Sequence, residues 1–452
     1  MHKRLGTIAV LLLLAAAAAA QAQSPAAAPA PAAAQPPAAS AAAAPRSASH
    51  LGVSTCGDSN CHSAAQRLPG STVPANEYLI WSKQDKHRDS YKVLLTAPAI
   101  RIAKALGLPD AANQKICLDC HSDFVPVDQR GPQYHVEDGV GCEACHGAAS
   151  AWLGTHISGT DHKANIAAGM YPTEQPIARG EKCLSCHYGD DKRFVDHRFY
   201  RAGHPRLTFE LATFTRIQPA HYVPDPAYIA RKGKFTDVQV WATGQAVALE
   251  RRMAALIDPQ HAPRGLWPEF ALFDCQSCHH QFGRGYGSRS AGHGPGTLHL
   301  NDANGVMVRI AAEKVAPDAA RALAERLAAL NKSTGGNWSR VQSEAAQIQA
   351  IANSLKQQFA NHNFTGPELK GLAAALIAQG ASDGQFSHAE QTAMALDAVF
   401  TSLRASGDMG GPQGEAAGTA LQTVRAAFSG GAMVHQDAFV RGLRELQRTM
   451  QP

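Results

Sequence analysis

The sequence predicts a mainly α fold in two parts: a loop-rich region with short helices up to residue 300, then a bundle of amphipathic helices. Two observations carry this expectation. All ten cysteines, and 17 of the 21 histidines, lie between His50 and His299. Past Leu300 the cysteines stop, only His362, His388 and His435 remain, and apolar residues recur at helical spacing. Formal charge is +5 at pH 7, spread through the chain, and makes no case for nucleic-acid binding.

The first segment, residues 1–22, reads as a secretory signal. His2, Lys3 and Arg4 give a positive start, Leu5 to Ala20 an apolar stretch, and Ala20-Gln21-Ala22 a small-x-small cleavage site. The stretch is short and alanine-rich at its end, so an uncleaved N-terminus is the one route to membrane association that it offers. Residues 23–49 are almost wholly alanine and proline over Ser24 to Pro45, a composition that buries no core and reads as a disordered or polyproline-like linker. Export suits the cysteines that follow, because thiols persist poorly outside the cytoplasm unless they are used. The expected location is periplasmic or otherwise exported.

Residues 50–300 carry five motifs in which the second cysteine is followed at once by histidine. Four read Cys-x-x-Cys-His: Cys117, Cys120 and His121; Cys142, Cys145 and His146; Cys183, Cys186 and His187; Cys275, Cys278 and His279. The fifth, Cys56, Cys61 and His62, has four intervening residues instead of two. This is the signature of c-type haem attachment. Two thioether bonds fix the haem edge to the chain, and the adjacent histidine binds iron axially, the ligand that largely sets the potential. A zinc knuckle would place that histidine badly for the same tetrahedral ion. A redox dithiol would need one motif between strand and helix, not five scattered copies. For the wider Cys56 motif a structural disulfide stays open as the alternative. The expected cofactor is therefore haem c, about five per chain, with iron held by the five motif histidines. Aromatic residues are only 6% of the chain, as expected where porphyrin plates supply core surface.

A haem with one protein ligand binds small molecules, and one with two histidines only moves electrons, so the twelve further histidines of this region matter. His87, in the expected helix Trp81-Ser-Lys-Gln-Asp-Lys-His87, His156, in Trp152-Leu-Gly-Thr-His156, and His204, held between Gly203 and Pro205, are the best-placed second ligands. His135, ahead of the third motif, ranks next. His50, His162, His197, His221, His261 and His280 are less favoured, and His293 and His299 read as solvent-exposed. A stock of this size points to mostly bis-histidine haems.

Residues 301–452 read as an antiparallel helical bundle. Ala320, Leu323, Leu327 and Leu330 put one apolar face on Asp318–Leu330. Further helices are expected over Ser339–Phe359, Gly366–Ile377, Ala389–Leu403, Gly414–Phe428 and Gln436–Met450, broken at Gly335-Gly336, Thr365-Gly366-Pro367, Gly410-Gly411-Pro412 and Gly430-Gly431. Asn301 or Asp318 could cap helix starts. This part reads as a scaffold, with partner docking or oligomerisation as the other role.

Over residues 51–190 the chain resembles the tetrahaem cytochromes that accept electrons from hydroxylamine oxidoreductase. The residues that carry it are Trp81 and His87 after the first motif, Ile116-Cys-Leu-Asp-Cys-His121, Gly139-Val-Gly-Cys-Glu-Ala-Cys-His-Gly147 with His156 behind it, and Glu181-Lys-Cys-Leu-Ser-Cys-His187. The resemblance implies that His87 and His156 serve haems other than their sequence neighbours, and that the His121 haem is five-coordinate. The chain departs from the family in its widened first motif, in a fifth motif and helical region without counterpart, and in lacking a histidine between Ala164 and Lys182. The His187 haem must then take its partner elsewhere, at His204 or His162, and His135 could close the position that is open in the family.

The leading functional expectation is an electron carrier between redox partner proteins. The alternative is a multihaem oxidoreductase acting on a small nitrogen or sulfur compound at one open haem. Against that, no motif ends in the lysine typical of pentahaem nitrite reductases. Tyr188, Tyr200 and Tyr222 do not sit in the context of the tyrosine cross-link found in hydroxylamine oxidoreductases.

Overall fold

In the computed structural model the described residues are 47–67, 69–261, 268–279, 299–334, 336–428 and 434–451. The expected signal segment and nearly all of the linker, together with His280 and His293, lie outside them. Residues 47–452 form one compact unit. The fold is mainly α. Among the described residues no strand is present, only the isolated bridges His50 to Arg130, Gly189 to Phe194 and Phe273 to Leu300. No described helix is long and apolar enough to cross a membrane.

Up to residue 232 the helices are short, 12 residues at most in Pro176–His187, and loops separate them. Three of the motifs lie at the ends of helices, Lys115–His121, Cys142–His146 and Pro176–His187, while in the first only Cys56 is helical, at the end of Val53–Cys56. A helical turn brings the residues at i and i+3 to one side, which presents both cysteine sulfurs to a single edge.

Eight longer helices follow. We label them α1 (Asp237–Ile257), α2 (Ala303–Val315), α3 (Pro317–Ser333), α4 (Trp338–Asn361), α5 (Gly366–Ser382), α6 (Phe386–Ala405), α7 (Gly411–Ala426) and α8 (Gln436–Thr449). Six of these coincide within a few residues with those expected from periodicity. The apolar face expected on α3 is the buried one: Ala320, Leu323, Leu327 and Leu330 are all enclosed. Each such leucine contributes about 1.5–3 kcal/mol by leaving water. Truncating Leu323 to alanine should cost about 2–5 kcal/mol.

Two helices were not expected, α1 and α2. In α1 the residues from Val240 to Leu249 are buried without interruption, so no polar face marks it as amphipathic. Such a helix belongs inside a core. Its start is fixed by a capping box in which Thr236 and Gln239 each bond the other's backbone. Around it pack α2, α4, α6, the haem-motif helix Pro176–His187 and the helix Leu211–Ile217. Gly244 permits the last of these contacts, since a Cβ there would sit 2.4 Å from Leu211 Cβ. One apolar core thus runs from Leu184 on a motif helix to Leu446 on α8. Lys356 of α4 strengthens the same junction. It is buried, with Nζ 3.2 Å from Glu181 on the motif helix and 2.6 Å from Glu250 on α1.

Candidate haem-binding sites

Two of the motif histidines, His62 and His121, are oriented by hydrogen bonds to the ring nitrogen that a metal would not use. His62 Nδ1 lies 2.8 Å from Glu77 Oε2, and His121 Nδ1 3.0 Å from the Ser90 carbonyl oxygen. Non-motif histidines are held in the same way: His87 Nδ1 is 2.9 Å from Asp85 Oδ1, and His204 Nδ1 is 2.8 Å from the Pro205 carbonyl. With Nδ1 engaged, Nε2 is the nitrogen left for a metal, the arrangement of a metal-ligating imidazole with its supporting partner.

Four motif histidines each face one histidine from elsewhere in the chain. Ring centroids are 5.9 Å apart for His62 and His156, 6.4 Å for His121 and His204, 6.2 Å for His146 and His221, and 6.2 Å for His187 and His87. Direct stacking would close this gap further. Two metal–nitrogen bonds of about 2 Å, plus the depth of each ring, add to about 6 Å. The spacing therefore fits one iron between each pair. The first pair is near-parallel, with 11° between ring planes, and the other three are near-perpendicular, at 80° to 85°.

Electrostatics agree with neutral imidazoles at the enclosed positions. Burial pushes His146 and His187 down to about 4, and lowers His121, His156, His204 and His221. His62 and His87 shift upward, each through the hydrogen bond to its carboxylate. Burial raises Asp85, but the bonds from the His87 ring and backbone and from Gln218 outweigh it and hold the carboxyl near 2. His87 thus has a permanently ionised anchor.

The glycine run of the third motif works by close approach. A Cβ on Gly139 would meet the His87 carbonyl oxygen at 2.7 Å, and one on Gly141 the Val53 side chain at 2.6 Å. The backbone there lies against both the His87 segment and the first motif. Ser90 joins these parts: its hydroxyl donates to the His87 carbonyl at 2.7 Å and accepts from Val140 N–H at 3.0 Å. Glu143, between the cysteines of the same motif, is buried and accepts from the backbone N–H groups of Leu51 (2.8 Å), Gly52 (2.7 Å) and Ala149 (2.7 Å). His50 turns to Asp123, with Nδ1 2.7 Å from its carboxylate.

All ten cysteines are free, and the sulfurs of different motifs are neighbours. Cys56 lies beside Cys142, and Cys120 beside Cys186. Cys145 lies within electrostatic reach of Cys183. One cavity of about 540 Å³ is lined by both the His62–His156 and His146–His221 pairs, with Cys56, Cys142 and Cys145 on its wall.

The structure places the favoured histidines unevenly. His87 and His156 face motif histidines far from them in sequence. His204 faces His121, where the resemblance implies an open position, and not His187. His221, ranked low from sequence, faces His146; no local signal distinguishes it, since only the folded loop after Leu211–Ile217 brings it near. His135 is brought to no motif histidine among the described rings; it sits at the start of the turn Val136–Asp138. His162 Nε2 bonds Glu174 Oε1 at 3.0 Å, His197 lies against Phe270, and His261 against Phe194. Cys275 and Cys278, with His279, are exposed at the turn Cys275–Ser277, and His280 beyond them falls outside the described residues.

Residues 55–147 match the family described as cytochrome c554 and c-prime. That span contains the first three motifs, and the match supports a c-type cytochrome with covalently bound haem iron, engaged in electron transfer. Neither a curated protein nor a solved structure matches the chain.

Proposed function

We propose that this chain is an exported multihaem cytochrome that passes electrons between redox partner proteins through about five covalently bound haems, at least four of them bis-histidine. The observation that carries this reading is the set of four facing imidazole pairs at iron-sized spacing. Haem supplies a reversible ferric–ferrous couple. The protein residues do the rest. His62 with His156, His121 with His204, His146 with His221 and His187 with His87 would each hold one haem iron between two imidazoles, and sites so held would exchange electrons without binding substrate. Neighbouring cysteines order them: the first motif adjoins the third through Cys56 and Cys142, the third the fourth through Cys145 and Cys183, and the fourth the second through Cys186 and Cys120. In this reading residues 50–300 carry the haems and residues 301–452 form the scaffold behind them. Residues 1–22 act as the export signal and 23–49 as a spacer.

Intact-mass measurement of the protein exported by a host with haem-attachment machinery tests the reading. Five haem additions with the signal removed are expected. An apoprotein, or oxidised disulfides in place of haem additions, would overturn it.

A further inference from the structure

Within electrostatic reach of Cys275 of the fifth motif lies a cation without a counter-charge. Arg252, on α1, donates from Nε to Asn304 Oδ1 at 2.5 Å, and its guanidinium carbon sits 4.9 Å from the centre of the Tyr188 ring. Among the described residues no carboxylate lies within ion-pair distance of it. The contrast is Arg206, whose charge also reaches the Cys275 sulfur but whose guanidinium is paired with Glu390 at 2.5 Å. Arg252 is nonetheless firmly held. Asn304 donates to Gln245 Oε1 at 2.7 Å, Gln245 to Gln391 Oε1 at 2.7 Å, and Gln391 to the Phe209 carbonyl at 3.1 Å, all three side chains being buried. This chain of amides fixes Nε and leaves the terminal nitrogens of the fork unengaged.

A second orphan adjoins the first. The Tyr188 hydroxyl is buried and has no hydrogen-bond partner. Tyr188 directly follows His187 of the fourth motif, and both it and Arg252 lie within electrostatic reach of Tyr200, as does Cys275. A half-enclosed guanidinium and a buried phenol, both short of an acceptor, ask for an anion with two oxygens. The haem edge opposite its thioether bonds carries two propionate carboxylates, which supply that chemistry.

We propose that Arg252, assisted by the Tyr188 hydroxyl, binds a propionate of the haem attached at Cys275 and Cys278. This rests on the reading that the fifth motif carries a haem. The planar fork accepts both carboxylate oxygens, which a lysine ammonium cannot do. A fixed positive charge there disfavours the ferric state, so Arg252 raises the potential of the fifth haem. Because Tyr188 directly follows the fourth motif, the same contact ties the fifth haem to the fourth.

The test uses the haem-loaded full chain. Haem-to-protein ratios and spectroelectrochemical titrations are compared for wild type, Arg252→Met, Arg252→Lys and Tyr188→Phe. Arg252→Met should lower the potential of one haem and leave the others in place. Arg252→Lys and Tyr188→Phe should shift the same haem less. A ratio of five with every potential unchanged would overturn the proposal. So would a shift in Arg252→Met that persists when Cys275 and Cys278 are both replaced by alanine, since Arg252 would then serve another haem. A wild-type ratio of four would instead overturn the reading of the fifth motif beneath it. If Arg252→Met does not fold, the lysine and Tyr188→Phe variants decide by the same criteria.

Discussion

His388 offers a test of the core that holds the haem region to the bundle. It is fully enclosed, with Nε2 2.7 Å from Asp302 Oδ1 and Nδ1 2.5 Å from Asp383 Oδ2. Burial acts to lower its pKa, but the two carboxylates outweigh burial and raise it to about 10. Burial acts to raise Asp302 and Asp383, and His388 with their other hydrogen bonds outweighs it and holds both below the usual carboxylate range. His388→Ala removes the cation and strands two buried carboxylates, a class of change that costs about 3–5 kcal/mol. At ~2 °C per kcal/mol for a chain of this length, the thermal midpoint should fall by roughly 6–10 °C. The effect depends on pH in a definite direction. The folded protein keeps the His388 proton up to about pH 10 while the unfolded chain releases it near 6.5. The stabilisation is therefore complete below ~6.5 and lost as pH rises toward 10, and the aspartate share persists above ~4. Thermal melts followed by circular dichroism at several pH values measure the gap between wild type and variant. A fall below about 2 °C, or a gap that stays constant from pH 6 to pH 10, would refute the reasoning.

Other perturbations follow from the same geometry. His221→Ala and His204→Ala should each convert one haem to high spin, about one-fifth of the total, whereas His135→Ala should leave the visible spectrum unchanged. Glu143→Gln keeps the shape but turns an amide toward backbone N–H donors, and should cost about 1–3 kcal/mol, read as a lowered denaturation midpoint. Gly244→Ala drives a Cβ into Leu211, 2.4 Å away, and should destabilise by about 1–3 kcal/mol while leaving the haem spectra of folded protein intact.

Much of this was legible in the residues, and the exceptions have physical causes. The bundle helices α3, α4, α5, α7 and α8 show their apolar stripe because one face meets water; α6 is enclosed up to its last turn and shows instead through its run of helix-forming residues. The structure places all six within a few residues of expectation. Helix α1 escaped because it is buried on all sides and therefore has no stripe to read. The haem attachment residues are fixed by local chemistry, since a tight turn must present two sulfurs and one imidazole together. The facing histidines obey no local rule. His87 and His156 stood out by their local segments and again through the resemblance, but His221 pairs with His146 across 75 positions, and only tertiary packing makes that pair. His204 looked suited by its Gly-Pro setting, yet which iron it would serve could not follow from a loop sequence alone. Arg252 carries no sequence signal either; it is unusual only because the folded core leaves it without an acid.

Electron paramagnetic resonance of the oxidised, haem-loaded protein tests the central claim most directly. The angle between axial ring planes controls how far the iron d orbitals split: parallel rings separate them and perpendicular rings leave them nearly degenerate. The four histidine pairs predict low-spin signals integrating to at least four haems per chain. One should be rhombic, from the near-parallel His62–His156 pair, and three strongly axial, from the near-perpendicular pairs. A high-spin signal from two or more haems would contradict the account, because at least one of these facing pairs would then not bracket an iron.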